Sequence, residues 1–200
     1  TDMMMHTMER YFSKDDDMET TDAIAEAILR TCMKEGPLAL ANPTDYTCRA
    51  NIMWAGTLAH NDLTGCGTTG DWATHNIEHE LSGLFDVSHG AGLAAVWGSW
   101  ARYTRNENLP RFARFAHNVM GIDTTNMSDM EASETGIKAM EQFFRSIGMP
   151  TDIHTLVGKD ITDAEIEEMA QKCTNGDTTT IGGLKILHAA DIVKIYQMAK

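Results

Sequence analysis

The sequence has few cysteines, and they form none of the usual clusters. Cys32, Cys48, Cys66 and Cys173 include no C-x-x-C pair, the spacing typical of zinc fingers and thioredoxin-like redox sites. Cys32 and Cys48 fall within helical patterns, where a free cysteine usually behaves as a small buried apolar side chain. We therefore expect reduced thiols and a cytoplasmic protein.

Positive charge and long apolar runs are also scarce. Sixteen Lys and Arg stand against 29 Asp and Glu, giving a formal net charge of −13 at pH 7. Nucleic acids and anionic membrane surfaces bind basic surfaces, so we expect neither as a partner. No apolar run reaches the roughly 20 residues that span a bilayer. The polar opening Thr1-Asp2-Met3 is not expected to act as a signal peptide.

Apolar residues recur at helical spacing, and no clear period-two pattern indicates a β-strand. The 200 residues are 42% hydrophobic and 22% charged, which suits a globular domain with a substantial core. The sequence therefore predicts one all-α, multi-helix domain over residues 1–200.

Start and stop signals divide the chain into successive helices. The predicted helices are 1–12, one from Thr20 or Thr21 that stops at Gly36-Pro37, one from Asp45, 74–84, 91–103, one opened by Pro110, 128–147, one capped by Thr162 with Glu165, and 187–199. The segment 64–70 contains three glycines but follows a helix rather than a strand. We predict a plain connection there and not a phosphate-binding loop.

The eight histidines are distributed unevenly. Asp2 and His6 are spaced i, i+4, so on a helix their side chains point the same way, and His75 and His79 repeat that spacing. His89 follows in a turn that opens the helix beginning near residue 91. A carboxylate with imidazoles suits a divalent iron or zinc ion. Plain surface contacts produce the same spacings, so spacing alone leaves both interpretations open.

Other metal-site patterns are only partly met. His75, Glu78 and His79 fit H-x-x-E-H, in which two histidines bind zinc and the glutamate is the catalytic base of a metallopeptidase. A zinc metallohydrolase and a helical domain without metal therefore remain alternatives. The sequence has no His-Asp dipeptide and no Glu-x-x-His pair, so HD-type phosphohydrolases and ferritin-like di-iron sites are excluded. The remaining histidines have no such partners and are expected to be structural or exposed: His60, His117, His154 and His188.

Longer stretches of the sequence resemble the iron-containing alcohol dehydrogenases, most of all their butanol dehydrogenase branch. These stretches are Thr1-Asp2-Met3-Met4-Met5-His6 through Glu9, Cys48-Arg49-Ala50-Asn51 through Ala55, and Gly70-Asp71-Trp72-Ala73-Thr74-His75 through Ser88-His89-Gly90 to Ala94. The resemblance implies the helical C-terminal domain of the dehydroquinate synthase-like and iron-dependent alcohol dehydrogenases. The family's N-terminal α/β nucleotide-binding domain is absent from these residues.

The resemblance also implies roles for particular residues. Asp2, His6, His75 and His89 would hold Fe²⁺, with Zn²⁺ as the alternative metal, and His79 would stand beside the substrate as a proton-relay or orienting residue. The metal would act as a Lewis acid on a small primary alcohol or aldehyde. NAD(P) in the full-length enzyme would carry the hydride. We expect a homo-oligomeric enzyme, and no activity from this chain without its nucleotide-binding half.

Overall fold

The computed structural model describes all 200 residues and contains ten α-helices. They are α1 (Asp2–Tyr11), α2 (Glu19–Ala41), α3 (Tyr46–His60), α4 (Ala73–Phe85), α5 (His89–Thr104), α6 (Leu109–Asn118), α7 (Asp129–Ser146), α8 (Ile153–Val157), α9 (Asp163–Cys173) and α10 (Ala189–Ala199). The nearest approach to a sheet is an isolated antiparallel bridge between Ile181 and Leu187. The predicted all-α fold is confirmed. None of the helices combines the length and apolar composition needed to cross a membrane.

The first helix lies inside the core rather than on the surface. Met4, Met8 and Phe12 recur every four residues and are at most 2% exposed, as expected for one face of a helix. Tyr11 is also buried, and α1 contacts α2, α3 and α5. A single hydrophobic cluster of 37 buried residues draws side chains from all ten helices. The first turn of α1, which carries Asp2 and His6, is therefore held by packing further along the same helix.

Helix starts follow the capping signals of the sequence. The Thr162 hydroxyl accepts a hydrogen bond from the Glu165 backbone N–H, and Glu165 accepts one from the Thr162 N–H. This is the predicted capping box. Ser128 and Glu131 form the same reciprocal pair at the start of α7.

Two predicted boundaries were wrong, and one short helix was missed. The helix expected to stop at Gly36-Pro37 continues to Ala41 as α2, because packing along α3 outweighs the hydrogen bond that Pro37 cannot donate and the crowding of its ring against the preceding turn. His89 is the first residue of α5 rather than part of a preceding turn, with Ser88 as N-cap. The short helix α8 was not predicted, because five residues give too little periodicity.

Asp71 ties the start of α4 to two distant segments. Its carboxylate accepts hydrogen bonds from the backbone N–H groups of Ala73, Gly183 and Leu184 at 3.0, 2.9 and 2.8 Å. Its own backbone N–H donates to the Glu9 carbonyl at 2.7 Å. Since Asp71 is only 4% exposed, water does not replace these bonds readily. The histidine helix α4 is thereby fixed to both α1 and the loop before α10.

We expect Asp71→Ala to lower the free energy of unfolding by about 2–4 kcal/mol, because buried backbone donors would lose their acceptor. Urea denaturation followed by circular dichroism measures the change. Asp17→Ala is the matched control, since Asp17 is exposed and such substitutions change stability by less than about 0.5 kcal/mol. Equal denaturation midpoints for the two variants would contradict the role assigned to Asp71.

Candidate metal centre

Three helix beginnings meet at one place and bring the predicted ligand residues together. Asp2 and His6 lie one turn apart at the start of α1, His75 lies in the first turn of α4, and His89 opens α5. The α4 and α5 helices pack against each other, and α1 contacts α5. Residues separated by more than 60 positions in the sequence therefore share one site.

The ligand atoms of these residues converge on one carboxylate oxygen. Asp2 Oδ1 lies 3.3 Å from His89 Nε2, 3.6 Å from His75 Nε2 and 3.8 Å from His6 Nε2. Atoms bound about 2.1 Å from a tetrahedral ion lie roughly 3.4 Å from one another. The ligand atoms of Asp2, His6 and His75 also lie within 4.8 Å of one another, and His89 joins them through its 3.3 Å approach to Asp2 Oδ1.

Unsatisfied polar atoms at this point support the fit. Asp2 Oδ1 and His75 Nε2 are buried without a hydrogen-bond partner, and so is Nδ1 of His6. Buried polar atoms in proteins nearly always have a partner. One carboxylate and three imidazoles form a mixed oxygen and nitrogen set suited to Fe²⁺ or Zn²⁺. The residues present thus fit a divalent metal, and its binding by them stays a prediction.

The pKa values of these groups are shifted by burial and by one another. His75 holds the pKa of Asp2 well below its usual range. Burial lowers the pKa of His75, but the nearby carboxylates of Asp2 and Glu9 outweigh it and raise that pKa to about 9. Burial lowers the pKa of His6 to about 4. His75 therefore carries a proton at neutral pH, which an incoming metal ion must displace.

His79 lies beside the convergent group and not within it. Its side chain is exposed, and its ring stacks on that of His89 with centroids 5.5 Å apart. The His75 ring is 6.3 Å away, edge to face. The structure thus places His79 at the solvent-exposed side of the centre, next to His89.

Glu78 is oriented against the metallohydrolase alternative. That alternative requires Glu78 to face a water molecule on a metal held by His75 and His79. Instead, Glu78 is fully buried and hydrogen-bonded to His89 Nδ1 and to the Ser82 hydroxyl. Although Glu78, His79 and His89 also lie close to one another, the Glu78 carboxylate is occupied by these two contacts.

Four further residues surround the centre that the sequence analysis did not assign to it. Glu9 accepts hydrogen bonds from the His75 backbone N–H and from its Nδ1, both at 3.0 Å. His60 Nε2 lies 3.4 Å from the second oxygen of Asp2. Glu78 is the third, and the fourth is Trp72. The sequence could have indicated the two glutamates, because the pattern His-x-x-Glu occurs twice, at 6–9 and at 75–78.

Trp72 forms a wall of the centre and adopts an unusual backbone conformation. It is the N-cap of α4, with φ of 64° in the left-handed region, which non-glycine residues rarely occupy. Its ring lies 5.4 Å from that of His6 and 4.9 Å below the guanidinium of Arg10. The strained backbone therefore places an aromatic surface directly against the histidine cluster.

Comparison with known proteins identifies the family of the chain. Residues 1–200 match the family model of the Fe-containing alcohol dehydrogenase family, C-terminal. The chain belongs to this family. Among the family's members, the NADH-dependent butanol dehydrogenase A of Clostridium acetobutylicum is 39% identical over 198 residues, covering 98% of this chain and 50% of that protein.

Solved structures of the family share the fold. The aldehyde reductase YqhD from Escherichia coli aligns over the whole chain and 51% of its own, with a TM-score of 0.92 and 34% identity. The NADH-dependent butanol dehydrogenase A from Thermotoga maritima aligns over 99% of this chain and 50% of its own, with a TM-score of 0.89 and 31% identity. The chain thus spans about half the length of the relatives it matches.

Proposed function

We propose that this chain is the metal-binding part of an NAD(P)-dependent alcohol dehydrogenase that interconverts small primary alcohols and aldehydes. The observation that carries the proposal is the convergence of three histidine Nε2 atoms on Asp2 Oδ1 within 3.3–3.8 Å. Family membership supports it, as do relatives named as butanol dehydrogenases and as an NADPH-dependent aldehyde reductase. Four unpaired cysteines accord with a reducing, cytoplasmic compartment.

In this proposal Asp2, His6, His75 and His89 hold Fe²⁺, with Zn²⁺ as the alternative. The bound metal supplies Lewis acidity to the substrate oxygen. Asp2 contributes the only carboxylate of the set, so these residues offset one of the two charges of a divalent ion. The mutual proximity of Asp2, His6 and His75, whose ligand atoms lie within 4.8 Å of one another, supports their binding one ion.

His79 is proposed to handle the proton of the alcohol. Its imidazole is exposed, while the neighbouring His89 ring stacks against one face of it. An imidazole accepts a proton at one nitrogen and releases one from the other, which suits a relay between the substrate and solvent. The stacking on His89 would hold the His79 ring beside the oxygen that gains or loses this proton.

Hydride transfer is assigned to the part of the enzyme outside these residues. The relatives are about twice as long as this chain, and their names specify NADH or NADPH. No glycine-rich turn between a strand and a helix is present here to hold a pyrophosphate. We therefore propose that the nucleotide-binding half faces the open side of the centre, where His79 lies.

We expect His75→Ala to weaken metal binding by at least about 100-fold, because it would remove a metal ligand itself rather than a residue that hydrogen-bonds to a ligand. His79→Ala should bind metal almost as tightly as the unaltered chain. Elemental analysis after equilibration with Fe²⁺ or Zn²⁺ measures both, and circular dichroism checks that each variant is folded. Equal losses from the two substitutions would favour a site built on His75 and His79 and argue against this ligand set.

We further expect no oxidation of butanol with NAD⁺ or NADP⁺ by this chain alone, even when loaded with metal. Hydride transfer requires the nicotinamide within near-contact of the substrate carbon, and these residues provide no site for it. Absorbance at the wavelength of reduced nicotinamide follows the reaction, with a protein-free sample as control. Turnover above that control would show that a cofactor site had been overlooked here.

A further inference from the structure

Two buried glutamates contact the Nδ1 atoms of two of the proposed ligands, His75 and His89. Glu9 is 1% exposed and Glu78 is fully buried. A buried carboxylate is costly unless it is paired and hydrogen-bonded, and each of these is paired with an imidazole. Each glutamate belongs to a His-x-x-Glu segment, 6–9 or 75–78, but contacts a histidine further along the chain: Glu9 contacts His75 and Glu78 contacts His89.

Glu9 fixes His75 at two points. Its Oε1 accepts the backbone N–H of His75 and also contacts His75 Nδ1, both at 3.0 Å. The first bond satisfies a backbone donor in the first turn of α4, and the second occupies one side of the ring. With Nδ1 held this way, the opposite nitrogen, Nε2, points toward Asp2 Oδ1.

Glu78 does the same for His89 and is itself enclosed. One of its oxygens contacts His89 Nδ1, and the other accepts the hydroxyl of Ser82 one turn further along α4. Gly92 of α5 leaves the space for it, because a Cβ at that position would lie 2.5 Å from Glu78 Oε1 and 2.7 Å from its Cγ. Real Cβ atoms do not approach so closely, so a larger residue at 92 would have to displace the carboxylate.

These contacts determine which nitrogen of each histidine is free. A carboxylate accepts hydrogen bonds but donates none, so Nδ1 must carry the proton in each pair. In the neutral ring the lone pair is then on Nε2, the nitrogen that faces the centre. In metal sites, a carboxylate hydrogen-bonded to a ligand histidine orients the ring and increases its basicity as a ligand.

We propose that Glu9 and Glu78 are positioning residues that set the tautomer and orientation of His75 and His89 for metal binding. The inference rests on the proposed function, since it concerns the same centre. It assigns a use to both His-x-x-Glu segments and explains why the Glu78 carboxylate contacts His89 and Ser82.

The test measures Co²⁺ binding by the full 200-residue chain, by competition with a chromogenic chelator and by the visible spectrum of the bound ion. Glu9→Gln and Glu78→Gln keep the size of each side chain and remove its charge. We expect each to weaken Co²⁺ binding about 10- to 100-fold and to alter the visible spectrum. Glu35→Gln is the matched control, because Glu35 is buried at 7% exposure and pairs with Lys34 rather than with a histidine.

A second pair of variants disturbs Glu78 without changing it. Gly92→Ala should weaken Co²⁺ binding by displacing the Glu78 carboxylate. Gly83→Ala, a helix position on α4 with nothing within 4 Å of an added Cβ, should not. Thermal unfolding of the metal-free variants separates a general loss of stability from a loss of ligand positioning, since only the latter changes the spectrum of the bound ion.

Two outcomes would count against the inference in distinguishable ways. If the unaltered chain binds Co²⁺ and both glutamine variants bind it equally tightly with the same spectrum, the positioning role is wrong and the proposed function stands. If the unaltered chain binds no Co²⁺, the proposed function fails and the inference fails with it. Weaker binding and a changed spectrum in Glu9→Gln, Glu78→Gln and Gly92→Ala, with both controls unchanged, would support it.

Discussion

The hydrogen bonds between Glu9 and His75 are the contact on which the rest of the centre depends. They join α1, which lies in the middle of the core, to the first turn of α4 across 66 residues of sequence. Asp71 strengthens the same joint by donating its backbone N–H to the Glu9 carbonyl. Because α1 and α4 are held together, the side chains of Asp2, His6 and His75 lie at the same site. Packing of α5 on α4 then brings in His89.

Electrostatics makes this arrangement receptive to a cation. Glu9, Asp71 and Glu78 are all at most 4% exposed, and they gather on one side of the histidines. Burial, and then the charge of Glu9, raise the pKa of Asp71 to about 7, which reflects the cost of keeping two carboxylates together away from water. The proton on His75 offsets part of that charge. A divalent ion at Asp2 would add positive charge at the same place, in a protein whose net charge is −13.

The sequence was sufficient for most of the helices, because capping signals and periodicity are local, and its resemblance to a family supplied the proposed ligand set. The spacing of Thr162 and Glu165 is a local signature of a capping box, which forms here. The segments around His75 and His89 are long enough to resemble a family. Contacts between residues far apart in the sequence could not be predicted in this way. Nothing local indicates that Glu9 contacts His75 rather than His6. The continuation of α2 past Pro37 likewise depends on packing against α3, which sequence periodicity does not report.

The separation of the ligand pairs along the chain has a consequence for folding. Asp2 and His6 are neighbours on α1, but His75 and His89 reach them only after a long loop has closed, and such closure is entropically costly and comes with the native topology. The unfolded chain therefore offers a metal ion at most pairs of ligands, whereas the native chain offers four. An ion bound to the native state alone adds stability in proportion to the logarithm of its free concentration. The supply of metal in the cell would then contribute to the equilibrium stability of the folded protein.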